Sequence, residues 1–260
     1  MLEECVQNIR VTIFDMIKVA RAKRYMTNCY SFDVVDNATR LWANGDEFIF
    51  SHLDQGVERL VFFAESWSSV DKLLELVNGG KFFLEFMTKN LEEYCPRGAR
   101  LVASMMRLAN ADCQSVFVPG NPVLQFRDSY IGTKARKEDV SDINHILWSV
   151  FYPEISHLLS DEQLEEKVEQ ITIHKIDGEI VAILQAEVMP KKFYINQVVN
   201  RGERKVIHAI MLNCLEEYVK RGGKYLYAWV EENNIASLKF HQKYGMKHDG
   251  MWSLIYCLEK

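Results

Sequence analysis

The chain has 260 residues, 48% of them hydrophobic and 26% charged, with a formal net charge of −5. That is long enough for two ordinary domains and apolar enough to bury a sizeable core. The acidic balance argues against a general nucleic-acid surface, which needs a basic face, and no apolar run approaches the ~20 residues of a membrane helix.

In the first half, residues 11–22 and 33–43 read as helices. Strand-like runs at 47–52 and 58–64 flank a turn at Asp54, Gln55 and Gly56. A helix over 69–77, a strand over 81–87 and a helix near 99–108 follow. Pro119, Gly120 and Pro122 then interrupt any regular pattern, so the expected domains are 1–122 and 123–260.

The second half opens with a strand from Tyr130 that runs into a helix. Asp139 or Ser141 suits its cap, and Ile143, Ile146, Leu147 and Val150 recur at helical spacing. An aromatic loop holds Trp148, Phe151, Tyr152 and Pro153, and Ser160 caps a short second helix. Strands over 170–176 and 179–188 flank Asp177-Gly178, a two-residue hairpin signal, and a third strand covers 193–199. The best helix comes next, with Ile207, Ile210, Met211, Cys214, Leu215 and Tyr218 on one face, ended by Gly222 and Gly223. A β-branched and aromatic strand over 225–230 leads into a short helix with Asn234 as N-cap and Gly245 just past its end. A strand over 252–257 closes the chain.

The six cysteines are dispersed, with no C-x-x-C pair and no histidines at ligand spacing, which predicts free thiols and no metal site. Glu3 and Glu4 stand where a signal peptide carries basic residues, which points to the cytoplasm.

The strand at 225–230, the Asn-x-x-Ser of Asn234 and Ser237, and the Phe-His-x-x-x-Gly running from Phe240 to Gly245 together resemble the GNAT superfamily of acyl-CoA-dependent N-acyltransferases. The β-α-α-β-β-β-α-β-α-β order of the second half resembles it too. The resemblance implies an α/β (α+β) fold: a mixed, mostly antiparallel sheet flanked by helices, in two tandem domains. The first half reads either as a degenerate GNAT-like domain or as an unrelated α/β domain used for packing or substrate selection.

What the resemblance implies about the site begins with acetyl-CoA as acyl donor. Its pyrophosphate would meet the backbone N–H groups at a helix N-terminus, here in the loop of Arg201, Gly202, Glu203, Arg204, Lys205 and Val206. Gln197, Val198 and Val199 would pair with the pantetheine amides in a cleft between splayed strands, with Asn234 and Ser237 nearby. The family places two small residues in that loop where this chain has Arg204 and Val206. Three readings therefore stand, the plainest being that Arg204 and Lys205 form a solvated helix start. In the second the loop binds phosphate by another backbone path, aided by Arg201, Arg204 and Lys205; in the third the fold is catalytically silent and binds CoA, another ligand or a protein partner.

For catalysis, His241 occupies the position where many relatives carry an acidic Tyr, Tyr244 is the second candidate acid, and Glu187 is the candidate base beside Glu231 and Glu232. Trp148, Phe151 and Tyr152 would line the acceptor site. The expected activity is N-acetyl transfer to a small-molecule or peptide amine by direct attack in a ternary complex, without metal, nucleic acid or membrane. A homodimer joined through strand edges or the first domain is the remaining partner reading.

Overall fold

In a computed structural model that describes residues 2–29, 34–35, 38–92 and 94–260, the chain divides into two units that interleave in sequence. Unit 1 comprises Met1–Ser104, Pro153–His157 and Trp252–Lys260, and unit 2 comprises Met105–Tyr152 and Leu158–Met251. The division therefore lies at 104/105 rather than at 122/123, and the last strand is split between the units.

Unit 1 holds α1 (Leu2–Ala22), β1 (Met26–Thr27), β2 (Ala38–Asn44), β3 (Glu47–Asp54), β4 (Val57–Ala64), α2 (Trp67–Leu76) and β5 (Lys81–Thr88). β3 and β4 are almost continuously buried because both faces are covered. Phe48, Phe50, Val61 and Phe63 pack with Ile13, Ile17 and Ala20 of α1, whereas Ile49, Leu60 and Phe62 pack with Val70, Leu73 and Leu74 of α2. β2, β3 and β4 form an antiparallel meander. The α2 crossover then brings β5 parallel to β4, in register only at Arg59↔Phe83 and Leu60↔Leu84. Beyond that pair the strands part, and β1 occupies the vacated edge of β4, with Met26 opposite Ala64 and Thr27 opposite Phe63.

Two expected helices are strands. Residues 38–43 lie in β2, paired with β3, while residues 33, 36 and 37 of that expected helix lie outside the described residues. Residues 99–108 lie in the strand β6 (Ala99–Asn110), whose Ala-, Leu- and Met-rich sequence suits a helix locally. Six consecutive pairs from Met105 to Asn110 against a later strand override that preference.

Unit 2 continues with β7 (Thr133–Lys134), α3 (Val140–Val150), α4 (Asp161–Glu166), β8 (Ile171–Ile176), β9 (Glu179–Val188), β10 (Lys192–Asn200), α5 (Arg204–Lys220), β11 (Tyr225–Glu231), α6 (Ile235–Gln242) and the start of β12 (Lys247–Glu259). This is the expected order, except that the first strand is only two residues and excludes Tyr130. Within the unit the strand sequence is β6-β11-β10-β9-β8-β7. All neighbours are antiparallel except β10 and β11, which the α5 crossover makes parallel. The hairpin of β8 and β9 turns on Asp177 and Gly178, both at positive φ, as expected.

Each face of this sheet has its own core. Leu226, Ala228 and Val230 of β11 and Phe193 and Ile195 of β10 pack under α5 through Val206, Ile207, Ile210 and Met211. On the other face Ile171, Ile173, Ile183 and Val199 pack under α3 and α4 through Ile143, Ile146, Leu147 and Leu164. The Pro122 region is not a bare linker: Pro122–Phe126 is a 3-10 turn whose Val123 enters the α5-side core. None of the described helices is long and apolar enough to cross a membrane.

Candidate functional site between two splayed strands

β10 and β11 are in register from Lys192↔Tyr225 to Ile195↔Ala228 and no further. β10 runs on to Asn200 and β11 to Glu231, so the two strands diverge where a parallel pair would normally continue. The cause is local: β10 is bulged between Ile195 and Gln197 in its pairing with β9, which turns the strand and raises its twist. The result is a cleft at the carboxyl ends of two parallel strands, flanked by the N-termini of α5 and α6, the place where open α/β sheets take ligands. Gln197, Val198 and Val199 lie on β10 just past its last parallel pair with β11. The Gln197 and Val199 side chains are buried, leaving the backbone as the contact surface.

The loop after β10 aims at this cleft. Arg201 is anchored by its N–H to Val181 O (2.7 Å), and its guanidinium donates to Ser149 Oγ (2.6 Å). α5 then begins without a cap: Glu203 is the N-cap residue, makes no side-chain cap bond, and no acid stands in the first turn. Arg204 and Lys205 occupy that turn although the helix dipole disfavours cations there. Lys205 is partly neutralised, bridging to Glu203 at 2.9 Å and lying over the Tyr130 ring; Arg204 is exposed with no ion pair among the described residues. Val206, expected to line the loop, has its side chain fully buried in the α5-side core. An uncapped helix start with cations gathered on it fits an anionic ligand such as a pyrophosphate.

On the far side Asn234 caps α6, its Oδ1 accepting from Ser237 N at 3.0 Å. His241 sits one turn on and is 3% exposed. Its Nδ1 donates to Ser237 O at 2.8 Å and lies 3.3 Å from Ser237 Oγ, which leaves Nε2 buried with a lone pair and no partner. Burial lowers its pKa to about 4, with the Ser237 carbonyl opposing. His241 is therefore a neutral acceptor at neutral pH. Donating a proton as the candidate acid would require an imidazolium that its surroundings oppose.

Tyr244 lies in the core. It is fully buried, and its hydroxyl meets Nδ1 of His208 at 2.8 Å, with burial raising its pKa well above the usual phenol value. His208, absent from the sequence-based candidates, is stacked between Phe126 and Phe240 at 5.1 and 5.0 Å. Lys243 Nζ donates to its Nε2 at 3.2 Å. Burial, and then the charges of Lys243 and Arg204, lower its pKa to about 4. The one available signal was a polar residue amid the apolar run of α5.

The remaining candidates separate. Glu187 is exposed and sits opposite Tyr194, at the closed end of the parallel pair rather than in the open cleft. Trp148 and Tyr152 are 40% and 70% exposed, whereas Phe151 packs against the α3-side core.

Residues 140–246 match the model of the acetyltransferase (GNAT) family. Among solved structures, the chain is similar to a GNAT-family protein from Novosphingobium aromaticivorans (14% identity, 78% of this chain and 88% of that one, TM-score 0.53). It is also similar to a GCN5-related N-acetyltransferase from Sphaerobacter thermophilus (11%, 81% and 76%, 0.53). A tandem GNAT protein from the clavulanic acid biosynthesis pathway gives 11% identity, 82% and 78% coverage and a TM-score of 0.53. At these identities the likeness is one of fold. No curated protein matches the chain in sequence.

Proposed function

We propose that the GNAT segment of this chain is an acetyl-CoA-dependent N-acetyltransferase acting in the cytoplasm on a small-molecule or peptide amine, by direct attack in a ternary complex. The observation that carries the reading is the open split between β10 and β11 with the uncapped, cationic start of α5 at its mouth. Acetyl-CoA supplies an acetyl thioester there, and transfer joins the amine nitrogen to the acetyl carbon as the carbon–sulfur bond breaks.

The chain's own residues divide the work. Backbone N–H groups at the start of α5, with Arg201 and Arg204, hold phosphate oxygens through charge-assisted hydrogen bonds. Backbone groups of Gln197, Val198 and Val199 pair with an extended amide-bearing chain. Unit 1 supports that chemistry by example. In its own split, Asn28 Nδ2 donates to Leu60 O (2.9 Å) and Glu85 O (2.7 Å), and its Oδ1 accepts from Phe62 N (2.8 Å). Counted from the last parallel pair, the equivalent groups in unit 2 are Ile195 O, Trp229 O and Gln197 N. An amide bridges one split from within the chain, and a pantetheine amide is the matching occupant for the other. The amine must lose one proton before attack and a second after it, and the departing thiolate takes up one. A catalytic His241 would serve there as a neutral acceptor through Nε2. We read unit 1 as a degenerate copy of the same domain.

A silent fold is the second reading, favoured by Arg204 and by the buried Val206 where the family has small residues. Calorimetric titration with acetyl-CoA, with dephospho-CoA for comparison, tests the cofactor binding that the transferase requires. Saturable one-to-one binding supports the transferase, and thiol release with an amine panel completes the test. No binding at millimolar ligand favours the silent fold.

A further inference from the structure

On β11, Leu226, Ala228 and Val230 face the core under α5, so Tyr225, Tyr227, Trp229 and Glu231 face the opposite way. On β10, Tyr194 shares that face because Phe193 and Ile195 are in the core. Register aligns Glu187 of β9, Tyr194 of β10 and Tyr227 of β11 in one row. The two tyrosine rings stack at 4.7 Å and 12°, and Tyr225 lies 5.7 Å from Tyr227. Trp229 follows, just past the last parallel pair, on the lip of the cleft.

These rings are half-buried and belong to none of the apolar cores, although α3 and α4 cover the same face further along, above β8 and β9. Their charges are uneven. Arg107 lies over Trp229 at 5.8 Å and is neutralised by Asp249 at 2.8 Å. Glu187 and Glu231 have no ion pair among the described residues, and Glu187 is near enough that its charge helps raise the Tyr227 pKa, after burial. Lys192, at the outer end of β10, is the face's other cation.

We propose that this face is the acceptor site, and that it takes a primary ammonium group carried on an aromatic body. The proposal rests on the acyl-transfer reading, because it places the amine on the side of the split opposite α5. Ring faces attract ammonium through their quadrupole, and the Glu187 and Glu231 carboxylates add negative charge that no ion pair offsets among the described residues. The Tyr194–Tyr227 stack and Trp229 offer flat surfaces to a ring.

The test follows the Trp229 indole N–H resonance, assigned with Trp229→Phe, in CoA-saturated and CoA-free protein titrated with phenethylamine or neutral 2-phenylethanol. The amine is expected to shift this resonance at about tenfold lower concentration than the alcohol, as one cation–π contact plus a carboxylate provides. Glu187→Gln, a conservative change at an exposed position, should bring the amine close to the alcohol's level, and Tyr227→Leu should weaken both ligands. Equal affinities, or amine shifts that bypass Trp229, overturn the proposal. The same samples report CoA through amides at the start of α5. Amine binding without CoA binding would refute the transferase reading and retain the site; CoA binding without selective amine binding would refute the site alone.

Discussion

Each unit contains a β-α-β crossover whose parallel strands part after a short register, and the two treat the gap in opposite ways. In unit 1 the chain fills it: β1 takes the free edge of β4, and the Asn28 amide bonds both lips. Its crossover helix is likewise closed, since Ser66 Oγ accepts from Ser69 N at 3.2 Å. In unit 2 no strand among the described residues pairs into the gap, and α5 starts uncapped. Buried side-chain polar atoms follow the same division: those without partners among the described residues are Asn144 Oδ1, Gln185 Oε1 and His241 Nε2, all in unit 2. Polar groups left unsatisfied cost stability.

The charged cluster of unit 1 sharpens the contrast. His157 lies between Asp54 (Nδ1, 2.8 Å) and Glu85 (Nε2, 3.0 Å), so both ring nitrogens donate and the ring is an imidazolium. Desolvation by the surrounding chain pulls its pKa down, although the side chain keeps an exposed face, and the two carboxylates outweigh this and raise it to about 9. Arg59 bonds Asp54 at 2.7 Å and the carbonyls of Pro153 and Glu154.

The largest effect should come from breaking this saturated set. Arg59 is 4% exposed, and Arg59→Met, which leaves Asp54 without its guanidinium partner, is expected to cost about 3–5 kcal/mol in chemical denaturation. An unchanged midpoint would mean the cluster is solvated after all. Asn28→Ala should cost about 3 kcal/mol by stranding three backbone groups, and acetyl-CoA should still bind once per chain. A second equivalent would mean the first split is merely masked.

In unit 2 the corresponding change should separate affinity from stability. Arg201→Glu with Arg204→Glu is expected to weaken acetyl-CoA by about 100-fold, the worth of one or two charge-assisted bonds. Arg204→Glu alone should leave the fold as stable or about 0.3–1 kcal/mol more so, because an acid suits a helix start. A paired loss of stability and affinity would return Arg204 to a structural role.

The histidines predict opposite pH limbs. His157 has a folded pKa above its unfolded value, so its stabilisation is complete below about pH 6.5 and is lost as pH rises towards 9. His208 and His241 have folded values near 4, so their environment favours the fold above about pH 6.5 and costs stability as pH falls through that window. His157→Gln should flatten the alkaline limb and His241→Asn the acid one in thermal melts across pH. Unaltered limbs would remove these groups from the account. The smallest test concerns the caps: Ser66→Ala should cost about 1 kcal/mol, while Glu203→Ala should change stability by only a few tenths.

The second half was legible because its signals are local. Asp177-Gly178, Asn234 and Gly245 each require one backbone geometry, and the α5 stripe needs only helical spacing. The strands β2 and β6 were not, since residues 38–43 and 99–108 carry helix-prone sequence and become strands only through partners distant in the chain. The division of units escaped for the same reason: segments 153–157 and 252–260 join unit 1 through pairings such as Ile255↔Glu85, which composition cannot reveal. At the site, the loop and the α6 cap were readable as motifs. The burial of Val206 and Tyr244, the orphaned Nε2 of His241 and the aromatic row on β10 and β11 depend on which face each strand presents.

The measurement that bears most directly on the open split is amide chemical-shift mapping with acetyl-CoA. Perturbations are predicted in the segment 196–206 and in Trp229, Val230 and Asn234, with none near Asn28, Phe62 or Glu85. Shifts centred on unit 1, or none at saturating ligand, would contradict the account.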